Sequence, residues 1–546
     1  MSRRLLVATL GAALALTGLT GLTAVPAHAA TWPAPVVVAG PTPDPFTFRY
    51  DPQTVVTPDG TTVASWVETG SVDSVMVAER PAGGAWSTPV PVAPANVWGN
   101  QLAVGPDGTL AIVYQNVVAS KVVVSAVVRP PGGAWGTPVP LSDTTLSASS
   151  AKVAVGAGVV TAVWVEGTGA ASKPMVSTRP LGAAGTFGSA TPFVDAGVSG
   201  IDVAASAAGT LVSWVLSSDP ADSYAASTVR ASFRPVAGAW EAPVSLSETG
   251  RRTQVAEPAI GANGTMAVAW ESRLPTTAGY YTSARTLAAI RPPGSAWGAQ
   301  SLLSDPEIEG TRPHVGVGPD GAATVVWTSY DGATDKVATR VHRSGAWEPQ
   351  VDLTQSIDSE SEPRLAVSPD GTAVVEFSNL ANGIGVAIRP PGRAWQPTDF
   401  IAPAAQAGYD RALAVGARTV AVVWTYGNGD ILMAVVADNL LPLPQPTAET
   451  GRITGPKKIE KGEKARYAFS GAPAEVTFEC RVDKTRKQQT GATGPKGKKP
   501  VPWRDCDSPV KVKTKKLRLG KHTLYVRAVL DGVPDPTPSK KKFKVT

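Results

Sequence analysis

Polar side chains recur at one position of a segment that the chain repeats. When the copies are aligned on their turn glycines, this position holds Gln53, Gln101, Lys152, Asp202, His314 and Arg364. Glu257 falls there in a fifth copy that is two residues shorter, and the eighth copy has Ala412, with Asp410 and Arg411 beside it. We call these eight positions the collar. Ion pairs and hydrogen bonds from Lys152, Arg364 and nearby Arg312 would suit an anionic sugar or a peptide. The alternative is ordinary polarity at the start of strands, facing water.

Residues for catalysis or metal binding are sparse. After its first 29 residues the chain has three histidines, His314, His342 and His522, in different repeats and without a second ligand at close spacing. It lacks a Gly-x-Ser-x-Gly nucleophile motif. Two carboxylate pairs would suit a glycosidase, Glu307 with Glu309 and Glu360 with Glu362. We therefore predict no catalytic residue, no metal and no cofactor, and keep a glycosidase as an alternative.

Two series of aromatic residues show that these side chains belong to an eightfold repeat. The first follows a Pro-Asp-Gly type of turn and comprises Trp66, Tyr114, Trp164, Trp214, Trp270, Trp327, Phe377 and Trp424. The second lies in a Gly-Ala-Trp type of turn and comprises Trp86, Trp135, Phe187, Trp240, Trp297, Trp347 and Trp395, with Trp32 as an eighth. Each unit of roughly 47 to 57 residues contains four short runs of alternating Val, Ile, Thr and aromatic residues, which is a strand pattern. Four strands per unit predict an all-β fold of propeller blades rather than solenoid rungs.

The two ends of the repeat region complement each other. An isolated fourth strand is predicted at Thr31–Val38, and the last repeat stops after a third strand at Ile431–Ala437. We expect the N-terminal strand to complete the eighth blade and latch the ring, which removes two exposed sheet edges. The sequence thus predicts an eight-bladed propeller over residues 30–440, with the collar near the mouth of its channel.

Variable loops are the other candidate for binding. The turns between first and second strands are stereotyped, whereas the loops between second and third strands vary and share the opposite face, where binding usually occurs. Two are long, Ser217–Thr228 with Asp219, Asp222 and Tyr224, and Glu271–Arg285 with Arg273, Tyr280 and Tyr281. Trp98 belongs to neither aromatic series and is predicted to lie in a loop between blades. It is either a locally buried aromatic residue or a platform on which a sugar stacks.

The repeat region resembles the secreted bacterial β-propellers of the sialidase-like and lectin-like kinds. The resemblance rests on the Pro-Asp-Gly turn followed by an aromatic residue and covers Thr31–Asn439. It departs from the sialidases in the motif Ser-x-Asp-x-Gly-x-x-Trp, which is absent because Asp and Gly are adjacent here, as at Asp370 and Gly371. The resemblance therefore implies the propeller fold and does not imply sialidase activity.

The N-terminus has the pattern of a secretory signal at residues 1–29. Arg3 and Arg4 precede an apolar stretch from Leu5 to Leu22, and Ala27-His28-Ala29 is a cleavage site. A membrane anchor is the alternative, and the two arginines leave general secretion and twin-arginine export both open. The rest of the chain contains no apolar run of the ~20 residues needed to cross a bilayer. We expect a secreted, monomeric protein that either stays in solution or associates with the cell wall.

Charge divides the chain at the Pro-rich segment Leu441–Thr447. Residues 30–450 carry 23 basic and 35 acidic side chains, whereas residues 451–546 carry 25 basic and 9 acidic ones. A Pro-rich linker at 441–450 is a semi-rigid spacer, so we predict a separate basic domain at 451–546. Its two cysteines, Cys480 and Cys506, are the only ones in the chain and predict one disulfide in an exported protein.

The basic segment resembles an Ig-like repeat of secreted bacterial proteins, usually actinobacterial ones. The matching pieces are Val476–Asp483, Trp503–Pro509, Leu519–Ala528 and Asp535–Ser539. The family implies a small β-sandwich held by Cys480–Cys506 and no catalytic residues. This copy differs in Lys484–Pro502, a Lys- and Gly-rich insertion that we expect to form a basic loop.

A lysine-rich run at Lys511–Arg518 offers a possible contact with an anionic partner. Lys511, Lys513, Lys515 and Lys516 either protect a solvated strand edge or bind an anionic envelope polymer or lipid surface. Nucleic acid is disfavoured because few aromatic residues are available to stack on bases.

Three functional hypotheses follow from these features. The first is an exported, non-catalytic binding or scaffold protein whose variable face binds a glycan or an extracellular protein, and whose basic domain associates with an anionic cell envelope. The second is a glycoside hydrolase or lyase of sialidase-like architecture. The third is a purely structural interaction module.

Overall fold

A computed structural model of the chain describes most of its residues. These are residues 32–41, 46–70, 72–94, 96–182, 184–222, 225–274, 284–354, 356–357, 362–379, 381–408, 410–427, 429–441, 449–472, 476–483, 502–530, 533–535 and 537–546. The predicted signal segment and the lysine-rich insertion, except for Pro502 at its end, lie outside the described residues. The chain divides after Leu441 into two compact units.

In the first unit the described residues form eight antiparallel sheets, and the first strand of the chain, β1 (Val36–Ala39), belongs to the last of them. Sheet 1 contains β2 (Arg49–Val56), β3 (Thr62–Glu68), β4 (Ser74–Arg80) and β5 (Val90–Pro94). Sheet 2 contains β6 (Val97–Val104), β7 (Leu110–Val118), β8 (Lys121–Arg129) and β9 (Val139–Pro140). Sheet 3 contains β10 (Ala148–Gly156), β11 (Val159–Glu166), β12 (Lys173–Pro180) and β13 (Thr191–Pro192). Sheet 4 contains β14 (Val198–Ser206), β15 (Gly209–Ser217), β16 (Ser227–Pro235) and β17 (Val244–Ser245).

The remaining sheets of this unit follow the same order. Sheet 5 contains β18 (Arg252–Ile260), β19 (Met266–Arg273), β20 (Arg285–Arg291) and β21 (Ser301–Leu302). Sheet 6 contains β22 (Glu309–Val317), β23 (Ala323–Tyr330), β24 (Asp335–Arg343), β25 (Ala346–Trp347) and β26 (Val351–Asp352). Sheet 7 contains β27 (Arg364–Val367), β28 (Ala373–Asn379), β29 (Gly383–Arg389) and β30 (Asp399–Ala402). Sheet 8 contains β31 (Arg411–Val415), β32 (Val420–Tyr426) and β33 (Ile431–Ala437), with β1 beside β33. Two short 3₁₀ helices lie at Gly169–Ala171 and Ala404–Gln406.

The sheets are arranged as a β-propeller. The first strands contact one another in a closed cycle that runs β2, β6, β10, β14, β18, β22, β27, β31 and back to β2. The first aromatic series is buried in the second strands, and Trp66, Trp214, Trp327 and Phe377 are among its fully buried members. The turn that precedes these strands needs a glycine, because φ is 87° at Gly108 and 91° at Gly371. The predicted all-β class with propeller-type sheets is confirmed.

The N-terminal strand joins the end of the repeat region to its start. In the described residues β1 pairs antiparallel with β33, with Val36 opposite Ala434 and Val37 opposite Met433. The strand begins five residues later than the sequence predicts. Trp32 precedes it, packs against the core of sheets 7 and 8, and donates from Nε1 to Asp399 Oδ2 at 3.1 Å.

The second unit is also built from β-strands. These are β34 (Glu449–Thr450), β35 (Lys458–Ile459), β36 (Lys464–Tyr467), β37 (Gly471–Ala472), β38 (Thr477–Val482), β39 (Arg504–Asp505), β40 (Val510–Lys513), β41 (Gly520–Leu530), β42 (Val533–Pro534) and β43 (Ser539–Val545), with a 3₁₀ helix at Thr514–Lys516. The largest sheet has the strand order β35-β43-β41-β38-β39, and β36 pairs with β40 in a second sheet. Side chains of both sheets, including Tyr467, Val512, Leu524 and Phe543, form one hydrophobic cluster.

Both ends of the predicted linker lie in folded structure, and the predicted disulfide is present. Leu441 is buried against sheets 7 and 8, and Thr450 pairs in β34, so both ends of the predicted linker belong to folded units. The reason is that Leu441 finds an apolar pocket, while Thr450 donates from its backbone N–H to Asp535 Oδ2 at 2.8 Å. The predicted Cys480–Cys506 disulfide is present, with 5.8 Å between the Cα atoms.

Candidate functional site

The eight collar positions converge at the centre of the ring. Each of them pairs with the residue directly before the aromatic residue of the second strand, from Gln53 opposite Ser65 to Ala412 opposite Val423. All eight line one cavity of about 370 Å³, which we call the ring cavity. The alignment on turn glycines therefore identified equivalent positions, including Glu257 in the shorter copy. Their role in ligand binding stays a prediction.

A break in pairing precedes the collar in six of the eight first strands. The register shifts just ahead of Gln53, Gln101, Lys152, Asp202, Glu257 and His314. Two residues before the collar, φ is positive at Asp51 (51°), Ser150 (54°) and Arg312 (52°), where no glycine relieves it. A β-bulge of this kind re-aims side chains and is common next to functional sites.

A histidine held between two carboxylates crosses one side of the ring cavity. His314 Nδ1 lies 2.9 Å from Glu257 Oε2, and His314 Nε2 lies 3.3 Å from Glu362 Oε1. Burial lowers the pKa of His314, but the charge and hydrogen bonds of Glu257 and Glu362 outweigh it, so the pKa rises to about 9. Burial raises the pKa of Glu362, but the His314 hydrogen bond and the Arg364 charge bring it down to about 2. His314 is therefore an imidazolium at neutral pH, with Arg364 Nη2 3.2 Å from Glu362.

A second ion pair lies behind the cavity wall. Arg411 Nε is 2.6 Å from Glu376 Oε1, and their side chains are 5% and 0% exposed. Burial raises the pKa of Glu376, and the charges of Arg411, Arg364 and His314 counter that rise. Arg411 also donates from Nη2 to the backbone oxygen of Glu362 at 3.2 Å. This pair joins sheets 7 and 8 by a salt bridge in the propeller interior.

The opposite side of the ring cavity is less tightly paired. Lys152 Nζ reaches Gln101 Oε1 at 3.5 Å, and Gln53 donates from Nε2 to Asp51 Oδ1 at 2.9 Å. Burial raises the pKa of Asp202, while the charge of Lys152 lowers it. The ring cavity as a whole balances cations with carboxylates, so it is polar rather than strongly basic.

A larger groove of about 900 Å³ spans sheets 3 to 6 beside the ring cavity. Its lining includes Ser149, Ser199, Gln254 and Thr311, each three residues before a collar residue of the same strand. It also includes three arginines and three carboxylates, namely Arg252, Arg273, Arg312, Asp222, Glu271 and Asp335. Residues of the loops after the second strands of sheets 3 and 4 also line it. We call this site the groove.

An ion pair and several hydrogen bonds fix groups that line the groove. Arg273 Nε lies 2.7 Å from Glu271 Oε1, and the backbone N–H of Arg312 donates to Glu271 Oε2 at 3.3 Å. When the Gln254 amide is oriented so that its oxygen faces Arg252, this oxygen accepts a hydrogen bond from Arg252 Nη2 at 2.7 Å. Burial raises the pKa of Asp335, and the charge of Arg312 lowers it. The groove thus presents fixed hydrogen-bonding groups of both charges along one surface.

Two expectations about loops are wrong. Trp98 lies within β6, because pairing with β7 begins at Val97 and resumes beyond a register shift at Gly99. Its side chain is 57% exposed, which also excludes the buried alternative. Glu271 and Arg273 belong to β19, because pairing with β18 continues to Arg273. Tyr224, Tyr280 and Tyr281 lie outside the described residues.

The four predicted envelope-binding lysines are exposed in the second unit. Lys511 and Lys513 lie in β40, and Lys515 and Lys516 in the 3₁₀ helix that follows. Among the described residues no cluster of three or more His, Cys, Asp or Glu side chains has the geometry to hold a metal ion. No helix in the described part of the chain is both long and apolar enough to span a membrane.

Two residues of the ring cavity network were not predicted to belong to it, although Glu362 was named as a carboxylate of a candidate glycosidase pair. Glu376 occupies the position before the aromatic residue of the second strand, where the other seven sheets have Ser, Val or Ala. That exception is visible in the sequence and signals a buried charge that needs a partner. Glu362 lies two residues before Arg364, at the position of Asp51 and Arg312 in their own strands. Its contact with His314 of the neighbouring sheet depends on the ring geometry and has no sequence signal.

Comparisons with known proteins yield only distant structural similarity. No family model and no curated protein sequence matches the chain. A lectin from Burkholderia pseudomallei is 14% identical with a TM-score of 0.42, covering 64% of this chain and 99% of the lectin. An α-L-arabinanase from Penicillium chrysogenum, complexed with arabinobiose, is 13% identical with a TM-score of 0.40, covering 75% of this chain and 98% of the arabinanase. A polysaccharide lyase described as an ulvan lyase is 10% identical with a TM-score of 0.42, covering 73% of this chain and 94% of the lyase. Similarity at this level carries no information about ligand or activity.

Proposed function

We propose that the protein is an exported, monomeric binding protein without catalytic activity. In this proposal an eight-bladed propeller binds a polar glycan, or a segment of an extracellular protein, in the groove. A basic Ig-like domain, joined through the Pro-rich segment, associates with an anionic cell envelope. The closed cycle of eight first strands supports the blade count, and the pairing of β1 with β33 supports the latch. The Cys480–Cys506 disulfide supports export.

The groove carries the proposal. Polysaccharides present hydroxyl and carboxylate groups along an extended chain, and they are bound by open clefts with preformed hydrogen-bonding partners. The groove extends over four sheets, and its Arg273 and Arg252 side chains are held by carboxylate and amide contacts. The backbone N–H of Arg312 is held by Glu271. Preformed side chains lose little conformational entropy when a ligand binds.

The test is a glycan array that includes uronic-acid and sulfated oligosaccharides, followed by affinity measurement on the best ligand. Arg312→Asn removes a groove cation while keeping a residue that tolerates positive φ. We expect it to weaken binding by about 10- to 100-fold, as for a lost charged hydrogen bond. Arg343→Asn is the matched control, because Arg343 belongs to the same sheet and lies outside the groove lining. Equal affinity of Arg312→Asn and wild type contradicts the groove, and the absence of any saturable ligand favours a structural module.

A second candidate function is cleavage of an acidic polysaccharide. The observation in its favour is Asp335, whose pKa burial raises and which lines the groove together with Glu271 and Arg312. A carboxyl with a raised pKa can serve as the general acid of a glycosidase, and Glu271 is a second carboxyl group lining the same groove. New reducing ends released by wild type and abolished by Asp335→Asn would establish the enzyme. Binding without release supports the non-catalytic protein.

A further inference from the structure

One face of the largest sheet in the second unit is covered with lysines. In the antiparallel and parallel registers of this sheet, Lys458, Lys521, Lys540, Lys542 and Lys544 all point to the side away from the hydrophobic cluster. All five are exposed. We call this surface the lysine face. It does not include Lys511 or the other three residues of the predicted run.

Three of these lysines stand directly opposite one another. Lys544 of β43 pairs with Lys458 of β35 on one side and with Lys521 of β41 on the other. Like charges in directly opposite positions destabilise a sheet. The arrangement therefore has a cost in the free protein, which a bound counter-anion removes.

Protection of an edge strand does not explain the face. β43 carries Lys540, Lys542 and Lys544, and it lies between β35 and β41 in the interior of the sheet. By contrast β36 and β40 form a two-stranded sheet in which each strand is an edge. Lys511 and Lys513 of β40 also lie opposite cations, Arg466 and Lys464. On an edge strand, however, these lysines have an ordinary protective role, which the lysines of β43 lack.

No described carboxylate neutralises four of the five lysines of the lysine face. Lys458, Lys540, Lys542 and Lys544 form no salt bridge with any described residue. At the far side of the sheet Glu479 is engaged by Arg527 Nη2 at 2.6 Å. The charges of these four lysines are therefore available to a ligand.

The neighbouring aromatic residues are already occupied. The Trp503 ring lies under the Arg481 and Arg527 guanidinium groups, at 4.6 and 4.4 Å from the ring centroid. Arg481 also lies 5.0 Å from the centroid of Tyr525. Nucleic acid binding proteins use open aromatic faces to stack bases, and these rings present none.

We propose that the lysine face binds a linear phosphodiester polymer of an anionic cell envelope. Lysines on alternate positions of β43 lie about 7 Å apart along the strand, and neighbouring strands are about 5 Å apart. This array of compact charges suits a flexible chain with one monoanion per short repeat, because ammonium groups attract phosphates without a fixed bidentate geometry. The inference rests on the envelope association proposed above and moves its contact surface from β40 to β43.

The experiment uses the full mature chain and soluble poly(glycerol phosphate) as the probe, over a series of salt concentrations. Lys540→Gln, Lys542→Gln and Lys544→Gln are combined in one variant. The matched control combines Lys511→Gln, Lys513→Gln and Lys515→Gln, which removes the same charge. We expect the first variant to bind at least about tenfold more weakly at low salt, because each surface lysine contributes to the binding free energy with an anionic partner. The salt dependence of its log affinity should fall by about two, and the control should bind like wild type.

Each other outcome contradicts a different part of the proposal. Loss in the control but not in the β43 variant assigns binding to β40 and overturns the lysine face, although envelope association survives. Equal loss in both variants shows binding that depends on net charge alone. Tighter binding of single-stranded DNA with the same number of phosphates, or of anionic lipid vesicles, identifies the wrong polymer class. If wild type binds neither the polymer nor purified cell walls, envelope association itself is wrong, while glycan binding by the groove is unaffected.

Discussion

The ring cavity and the lysine face contain similar numbers of cations and treat them in opposite ways. In the ring cavity His314 is held between Glu257 and Glu362, and Arg411 meets Glu376 in the interior. On the lysine face Lys544 faces two other lysines and has no carboxylate partner among the described residues. Unpaired charge in a low-dielectric interior costs several kcal/mol, whereas water screens it at a surface. The paired charges of the ring cavity therefore stabilise the fold, whereas the charges of the lysine face can bind a partner.

The largest expected effect comes from breaking the interior pair of the ring cavity. Arg411→Met leaves the fully buried Glu376 without its cation and should lower the free energy of unfolding by about 3–5 kcal/mol. Denaturant unfolding of wild type and variant measures this difference.

The control for this prediction replaces both members of the pair. Glu376→Val introduces the residue that four other sheets have at the equivalent position, so combining it with Arg411→Met should recover most of the stability. If Arg411→Met alone were as stable as wild type, the pair would not be isolated from water.

A smaller effect is expected from the titration of His314. The pKa of His314 rises to about 9 in the folded protein, because Glu257 and Glu362 favour the imidazolium over the cost of burial. A raised pKa contributes stability that is complete below the unfolded value near 6.5 and is lost as pH rises through 9. Lys152, Asp202 and Arg364 also face this site.

Stability curves between pH 5 and pH 10 measure that contribution. We expect wild type to exceed His314→Gln by roughly 1–3 kcal/mol at the acid end, with the gap closing above pH 9. His342→Gln is the control with opposite sign, because burial lowers the pKa of His342 and its contribution is lost as pH falls. A gap for His314 that is constant with pH would mean that the imidazole is neutral.

The smallest effect should come from the lysine face and should be stabilising. Lys544→Gln removes two like-charge contacts, so it should raise the free energy of unfolding by about 0.2–1 kcal/mol at low salt. High salt should abolish the gain because screening removes the repulsion. Thermal unfolding of the full chain at two salt concentrations tests this, and a loss of stability would indicate that Lys544 has an intramolecular partner.

The repeat made much of the fold and part of the site predictable. Strand type and order follow from alternating Val, Ile and Thr around buried aromatic residues such as Trp214. The collar could be aligned because one glycine turn fixes the register of each first strand, so that Lys152 and His314 occupy equivalent positions. The cysteine pair predicted the disulfide because no other cysteine competes for either partner.

Features that depend on contacts between sheets were not predictable. The bridge from His314 to Glu362 joins strands whose separation is set by the angle between blades. The lysine row of Lys458, Lys544 and Lys521 depends on β35, which is far in sequence from β41 and β43 and pairs parallel with β43. Trp98 was misplaced because the bulge at Gly99 lets β6 begin earlier than its alternation indicates.

The pairing of β1 with β33 has a consequence for how the protein is made. Val36 and Ala434 meet only when nearly the whole propeller unit has been synthesised. Contacts between residues so distant in sequence form late and slow a folding reaction. The N-terminal strand therefore lacks its β33 partner until that point, and we expect the eighth sheet to be completed late. Susceptibility of that strand to a protease would report how many molecules have finished folding.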